Sequence, residues 1–179
     1  MKRILFAVFL AASLVACSSN DKRVNAEETQ SVYMTTRLVP DLTTGRNAYV
    51  GPHMDTMDDE NTYQTYNLAS EANSQGVNKY QLVVLLTYYS KYRYYDAANV
   101  NNKPAAAFKT LSREEGACNQ QGCAFKELMG IEIPGDYLQQ HADKGFEIAI
   151  SSKAGNNSVL YVPGPYIKGF LMAVKGKKN

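Results

Sequence analysis

The residues best suited to binding a ligand are concentrated between positions 88 and 95. This segment contains Tyr88, Tyr89, Tyr92, Arg93, Tyr94 and Tyr95. Tyrosine rings interleaved with basic side chains can stack on sugars or nucleobases, which makes these six the candidate binding residues. Tyrosine is also an ordinary strand residue whose hydroxyl group can reach the rim of a β-sandwich, so burial of the rings would remove the binding interpretation.

Two cysteines and the residues around them predict a β-hairpin. Cys118 and Cys123 are separated by Asn-Gln-Gln-Gly, and in an oxidising compartment such a pair predicts a disulfide. If the two cysteines face each other, residues 108–133 pair as an antiparallel ladder in which opposite charges meet, for example Lys109 with Glu132. Cross-strand pairing of this kind favours the register.

The same register places Glu114 opposite Glu127, and these two residues could support acid–base catalysis. Two carboxylates whose pKa values are driven apart can serve as acid and base, as they do in glycosidases. Like charges on neighbouring strands are unfavourable, so a bulge near Gly116 that shifts the register is the other explanation. A hydrolase using Glu114 and Glu127 is therefore the remote alternative.

Metal and cofactor chemistry has little support in the sequence. The two histidines, His53 and His141, are far apart in the chain, whereas a structural zinc site requires about four ligands. Residues 51–55 resemble the Gly-His-x-Asp motif of zinc aminopeptidases, but Pro52 interrupts the motif and no second ligand segment follows. The sequence contains neither a Gly-x-Ser-x-Gly nucleophile motif nor a glycine-rich phosphate loop. We therefore expect a protein that is not an enzyme and binds no metal or cofactor.

The N-terminus resembles the signal peptide of bacterial lipoproteins. Lys2 and Arg3 are followed by an apolar run and by Leu14-Val15-Ala16-Cys17, which matches a lipobox. The resemblance implies cleavage before Cys17, a diacylglycerol thioether on its sulfur atom and acylation of its amino group. The apolar run is too short to span a bilayer, which needs about 20 residues. Ser18 in place of aspartate implies sorting to the outer membrane, with the acyl chains as the lipid anchor.

The resemblance divides the chain into three segments. Residues 1–16 are the signal peptide, residues 17–30 the lipidated cysteine and a flexible tether, and residues 31–179 a single β-rich periplasmic domain. The formal net charge is +2, and losing residues 1–16, which hold two basic residues and no acids, lowers it by two to zero. A neutral domain has no basic field to attract a nucleic acid, so none is expected as a partner.

The elements that must position the candidate residues are mainly strands. Residues 80–89 are predicted to form a central strand with apolar side chains on both faces, with a break near Ser90 because few strands exceed about ten residues. The predicted fold class is mainly β: a single antiparallel sandwich-like domain with two short helices, at about residues 136–144 and 165–175.

The second predicted helix has one apolar face. This face contains Tyr166, Ile167, Phe170, Leu171 and Val174. We expect it to pack on the sheet; the alternatives are a membrane interface or a groove in another protein, which make it a candidate docking helix. In the first helix, Asp136 is predicted to be the N-cap and Gly145 to end the helix.

These patterns predict an outer-membrane lipoprotein that faces the periplasm. It would act as a non-catalytic binding subunit, a scaffold or accessory part of an envelope assembly. Its partners would be membrane lipid, through acylated Cys17, and another envelope protein. The alternative function is binding of carbohydrate or peptidoglycan through the tyrosine-rich segment.

Overall fold

The structure, a computed structural model, describes residue 23 and residues 25–41, 46–73, 76–105, 107–120 and 122–176. Cys17 and the predicted signal peptide lie outside these residues. None of the helices formed by the described residues has the length and apolar character needed to cross a membrane.

The described chain forms two antiparallel sheets and three helices. The large sheet has the strand order β1-β2-β4-β5-β9-β8, with β3 also paired to β4, and the small sheet has the order β11-β10-β6-β7. The strands are β1 (Arg37–Asp41), β2 (Arg46–Val50), β3 (Met54–Met57), β4 (Tyr63–Asn73), β5 (Gly76–Tyr89), β6 (Ala97–Val100), β7 (Lys103–Pro104), β8 (Phe108–Asn119), β9 (Gly122–Ile133), β10 (Phe146–Ser151) and β11 (Asn157–Val162). The helices are α1 (25–35), α2 (Gly135–Gln140) and α3 (Gly164–Gly176). The predicted fold class is confirmed.

Strand β5 lies at the centre of the large sheet, between β4 and β9. Its side chains alternate because successive residues of a strand point to opposite faces. Leu82, Val84 and Leu86 are fully buried on the inner face, whereas Val83 and Leu85 on the outer face are half-buried. The predicted central position is confirmed, but only the inner face is fully covered.

The inner face of the large sheet shares one hydrophobic core with the small sheet and α3. The small sheet contributes Ile148 and Ile150 from β10 and Leu160 and Val162 from β11, all exposed by 2% or less. Burying an aliphatic side chain of this size stabilises the fold by about 1.5–3 kcal/mol. The two sheets therefore stabilise each other as one domain.

Helix α3 packs on the inner face of the large sheet. The Tyr166 hydroxyl accepts a hydrogen bond from the Leu68 amide (2.9 Å) and donates one to the Pro52 carbonyl (2.8 Å), and the Phe170 ring meets Tyr80 edge-on at 6.4 Å. The predicted apolar face, Tyr166, Ile167, Phe170, Leu171 and Val174, is exposed by 5% or less throughout. Packing on the sheet is confirmed, and the docking-helix alternative is wrong because this face is inside the domain.

Helix α1 packs against α3 and replaces part of the predicted tether. A Cβ atom added at Gly169 would lie 2.4 Å from the Thr29 carbonyl oxygen and 2.8 Å from the Val32 Cβ. The two helices can approach this closely only because residue 169 has no side chain. Residues 25–30, expected in a flexible tether, are helical instead, and residues 17–22 and 24 lie outside the described residues.

Helix α2 is shorter than predicted. Pro134 occupies the N-cap position without a side-chain cap, so the prediction of Asp136 as the N-cap is wrong. A turn follows the helix and ends at Gly145, which has φ +73° and donates its amide hydrogen to the His141 carbonyl at 2.8 Å. Glycine adopts this left-handed conformation without strain, so it terminates the segment as expected.

The hairpin of β8 and β9 carries the predicted disulfide, which joins Cys118 to Cys123. An irregularity between Glu115 and Cys118 shifts the register by one residue. Glu127 consequently faces Arg113 rather than Glu114. The uniform register is wrong, and the bulge considered as its alternative relieves the like-charge pair.

Two side chains of β4 connect the large sheet to the edge of the small sheet. Gln64 Nε2 donates to the Val159 carbonyl, and the Tyr66 hydroxyl donates to the Tyr161 carbonyl, both at 2.9 Å. Both donors are exposed by 3% or less. These hydrogen bonds cover part of the outer edge of β11, which pairs with β10 on its other edge.

Candidate functional site

The predicted binding segment leaves the sheet at Ser90. Strand β5 ends at Tyr89, and Ser90 has φ +97°, a left-handed backbone that few residues other than glycine adopt. We call residues 90–96 the tyrosine loop; they connect β5 to β6 without forming a strand. The predicted break near Ser90 is confirmed.

The side chain of Glu127 holds this loop from inside the domain. Its carboxylate is fully buried and accepts hydrogen bonds from four donors. Oε1 accepts from the Tyr88 hydroxyl and from the Tyr94 amide (3.0 Å), and Oε2 accepts from the Tyr95 amide (3.2 Å) and from Arg113 Nε (2.7 Å). A carboxylate has about four acceptor positions, so none is left over for a substrate.

Arg113 connects the same network to the surface. Its side chain is 33% exposed and forms an ion pair with Glu127. Nη2 also donates to the Tyr95 carbonyl at 3.2 Å, and the guanidinium lies 5.3 Å from the centre of the Tyr94 ring. A cation at this distance from an aromatic face is attracted to it. Arg113 therefore fixes both the backbone of the loop and one of its rings.

Arg93 anchors the inner side of the loop. Its guanidinium lies 4.6 Å from the centre of the Tyr88 ring and donates to Thr62 Oγ1 (2.8 Å) and to the Tyr95 hydroxyl (3.0 Å). Burial raises the pKa of Tyr88, the Arg93 amide lowers it, and hydrogen bonding to Glu127 raises it again, with a net increase. Tyr88 therefore stays protonated and can donate to Glu127.

The structure separates the six candidate binding residues into a buried and an exposed set. Tyr88 and Tyr95 are exposed by 1% or less and belong to the core. Tyr94 is 58% exposed, and the half-buried Tyr92 lies beside it with ring centres 5.4 Å apart. Tyr89 is 43% exposed, but it follows inward-facing Tyr88 in β5 and so lies on the opposite face of the sheet.

Two rings therefore remain as a possible binding surface, and we call Tyr92 and Tyr94 the tyrosine pair. Tyr92 packs edge-on against Phe125 with ring centres 4.5 Å apart, so it is supported from below. Tyr94 has φ +54°, a conformation that costs a bulky residue roughly 1–3 kcal/mol. The hydrogen bonds that the Tyr94 and Tyr95 amides donate to Glu127 hold Tyr94 in this conformation.

The paired-carboxylate hypothesis is wrong. Glu114 is exposed and lies opposite Lys126, whereas Glu127 is buried and lies opposite Arg113. Because neighbouring residues in a strand point to opposite faces, Glu114 and Glu127 are on different sides of the sheet. They cannot act together on one substrate.

The cysteines and the histidine–aspartate segment occupy separate places. Among the described residues, one cluster has metal-ligating atoms in close proximity: Glu115, Cys118 and Cys123. The disulfide removes both thiolates from this cluster, so it does not offer a metal site. His53 is exposed, and Asp55 accepts a hydrogen bond from Thr65 Oγ1 at 2.7 Å.

Arg113 is the residue of this site that the sequence reasoning missed. The signal that could have identified it was the unfavourable pairing of Glu114 with Glu127, because the one-residue bulge near Gly116 brings Arg113 opposite Glu127.

The chain matches no protein-family model, no curated protein and no solved structure.

Proposed function

We propose that the protein is a lipid-anchored, non-catalytic binding subunit of the cell envelope and that the tyrosine pair is its contact surface. It would be attached to the outer membrane through Cys17, face the periplasm and hold another envelope component as a scaffold or accessory subunit. The observation that carries the proposal is the buried Glu127 carboxylate, whose hydrogen bonds hold a strained loop that exposes Tyr94.

The energetics of this loop favour a binding role. Burying a charged carboxylate costs several kcal/mol before its partners compensate, and a left-handed Tyr94 adds roughly 1–3 kcal/mol. A domain that needed only to connect β5 to β6 could use glycine and leave the carboxylate out. Strained backbone that is held by its surroundings clusters at ligand contacts, which supports a binding function for the ring that it presents.

A glycan is the second candidate ligand, and the arrangement of the two rings favours it. Tyr92 and Tyr94 are adjacent and tilted by 37°, and Arg113 lies against Tyr94. Aromatic rings with a polar or charged neighbour suit sugar rings, which have an apolar face and a polar rim. Peptidoglycan is the glycan that a periplasm-facing protein would meet.

A comparison of Tyr94→Ala with Tyr89→Ala tests the contact surface. Both tyrosines are exposed, but they lie on different surfaces, so Tyr89→Ala is the matched control. We expect crosslinking in intact cells to link a stoichiometric protein to the wild type and to Tyr89→Ala, and not to Tyr94→Ala. Sedimentation with purified peptidoglycan separates the second candidate, since there only Tyr94→Ala should stay in the supernatant. If Tyr94→Ala behaves like the wild type in both assays, the tyrosine pair is not the contact surface.

The lipid anchor has its own test. A fatty-acid analogue should label the wild type and leave Cys17→Ala unlabelled, because the sulfur and amino group of Cys17 would carry the acyl chains. An unlabelled wild-type protein would contradict the anchor. Because α1 begins at residue 25, the distance from Cys17 to the domain would be at most about 28 Å.

A further inference from the structure

A cleft of about 470 Å³ lies between the two sheets, and neither Tyr92 nor Tyr94 lines it. One wall is formed by β3 and the turn that follows it, residues 54–59. The other wall is formed by Val159, Leu160 and Tyr161 of β11. Gln64 and Tyr66 bridge the walls through their hydrogen bonds to β11.

The cleft is acidic. The residues that line it include Asp55, Asp58, Asp59 and Glu147 and no lysine, arginine or histidine. Asp58 has a structural role, because it accepts hydrogen bonds from the Thr62 amide (2.8 Å) and the Ser158 hydroxyl (2.6 Å). Asp59 and Glu147, both exposed, form no ion pair within the described part of the chain. These two carboxylates therefore give the cleft a local negative charge.

The walls of the cleft also expose apolar side chains. Met57 is 60% exposed, Tyr161 49% and Val159 42%. Both walls are sheet edges, since β3 pairs only with β4 and β11 only with β10 among the described strands. Strand β3 is four residues long and spans about 13 Å, which matches about four residues of an extended peptide.

We propose that this cleft binds an extended segment of a partner protein in which lysine or arginine alternates with apolar residues. Charge complementarity selects this occupant. The aliphatic stems of the basic side chains would cover Met57 and Tyr161 while their charged ends reach Asp59 and Glu147. The apolar residues of the segment would cover Val159, which lies on the same exposed face of β11 as Tyr161. A metal ion would use the carboxylates and leave these apolar side chains exposed.

This site goes beyond the tyrosine pair and shares no residue with it. A protein with two independent contact surfaces can hold two components at once, which is the task of a scaffold. The cleft therefore gives the envelope subunit a second partner of defined chemistry.

The test uses the full chain and a fluorescein-labelled octapeptide of four Lys-Val repeats, with binding followed by fluorescence anisotropy. The reference peptides are four Lys-Ser repeats, which keep the charge, and four Glu-Val repeats, which reverse it. We expect the Lys-Val peptide to bind more tightly than either reference, and its affinity to fall when salt is raised from about 0.05 M to about 0.5 M.

The double variant Asp59→Asn, Glu147→Gln should weaken binding of the Lys-Val peptide about two- to thirtyfold, because each exposed charge pair contributes about 0.2–1 kcal/mol. The matched control is Glu114→Gln, Asp143→Asn, which removes the same charge at exposed positions outside the cleft and should leave the affinity unchanged. Circular dichroism checks that both double variants fold, as expected for exposed side chains.

Several results would overturn the proposal. If both double variants bind the Lys-Val peptide equally tightly, the acidic cleft does not determine its binding. If the Lys-Ser peptide binds as tightly as the Lys-Val peptide, the apolar walls of the cleft do not contribute to binding. Binding of Ca²⁺ without binding of the peptide would assign the carboxylates to a metal, and a dimer dissolved by Asp59→Asn, Glu147→Gln would assign the cleft to a second copy of the chain. Tyr94→Ala should keep full peptide binding, which separates failure of this site from failure of the tyrosine pair.

Discussion

The role of Glu127 can be tested by replacing it with glutamine, which keeps its shape and removes its charge. The amide NH2 group cannot accept a hydrogen bond, so two of the four donors around residue 127 lose their acceptor. A hydrogen bond to a charged group contributes about 1.5–3 kcal/mol, and Arg113 can recover part of its loss because its side chain is 33% exposed. We therefore expect Glu127→Gln to lower the free energy of unfolding by about 3 kcal/mol.

Urea unfolding measures this change, and Glu114→Gln provides the matched control in the next strand. Glu114 is exposed, so its substitution should change the free energy of unfolding by less than about 0.5 kcal/mol. In thermal unfolding, about 3 kcal/mol corresponds to a fall in Tm of about 6–12 °C for a chain of this size. Hydrogen exchange gives a local readout, since the Tyr94 and Tyr95 amides bind Glu127 and should exchange faster in Glu127→Gln.

The reasoning fails if Glu127→Gln and Glu114→Gln have the same stability, or if the Tyr94 and Tyr95 amides exchange at the wild-type rate. The double variant Glu127→Leu, Arg113→Leu separates loss of charge from loss of packing. Removing both partners leaves no unpaired charge in the core, so it should be more stable than Glu127→Leu alone. If the double variant is no more stable than Glu127→Leu, then packing, and not the ion pair, determines the loss of stability in Glu127→Leu.

Three further predictions concern the rest of the domain. Gly169→Ala should destabilise the domain by about 1–3 kcal/mol and raise hydrogen exchange in α1, because the new methyl group would collide with the Thr29 carbonyl; unchanged exchange there would contradict the α1–α3 contact. Replacing Cys118 and Cys123 with serine should lower the free energy of unfolding by about 2 kcal/mol with retention of the fold, as measured by urea unfolding. Burial raises the pKa of Tyr166 in the folded state. The stability that the protonated side chain contributes is therefore fully present below its unfolded pKa of about 10 and is lost as the pH rises through its folded pKa. Its phenolate absorbance should appear together with alkaline unfolding, and separate transitions would refute its burial.

The sequence was most informative where one repeating pattern determines burial. Helix α3 was predicted within one residue at each end because its apolar residues recur at helical spacing, and the sheet buries that face. Strand β5 was located for the corresponding reason, since its apolar run is long enough to cross the centre of a sheet.

Helix α1 escaped prediction because its packing surface is small. Val32 is its buried apolar residue, and the other half of the contact is the absence of a side chain at Gly169. Because the close contact depends on the absence of a side chain at Gly169, α1 needs no repeating pattern of apolar residues, and its own sequence does not predict the packed helix. The sequence indicated that Gly169 weakens an isolated helix, but it did not indicate that α1 is the element that packs against Gly169.

Only part of the candidate site could be predicted from the sequence. The tyrosine segment was identified from its composition, but composition cannot say which rings face the core. Burial of Tyr88 and Tyr95 depends on the left-handed turn at Ser90 and on the carboxylate of Glu127, which is far away in the sequence. The pairing of Glu127 with Arg113 depends on a bulge, and a one-residue shift changes every pair beyond it.

The side chains of Gln64 and Tyr66 also constrain the order in which the domain can assemble. Their hydrogen bonds to β11 join residues 95 positions apart, so the edge of the small sheet is covered only after the large sheet has formed beside it. Closing so long a loop costs entropy before any contact is made, which makes this a late event in folding. Until then β11 presents unpaired carbonyl groups that another chain can bind, so the period between formation of the hairpin of β10 and β11 and its docking is when the protein is most prone to aggregation.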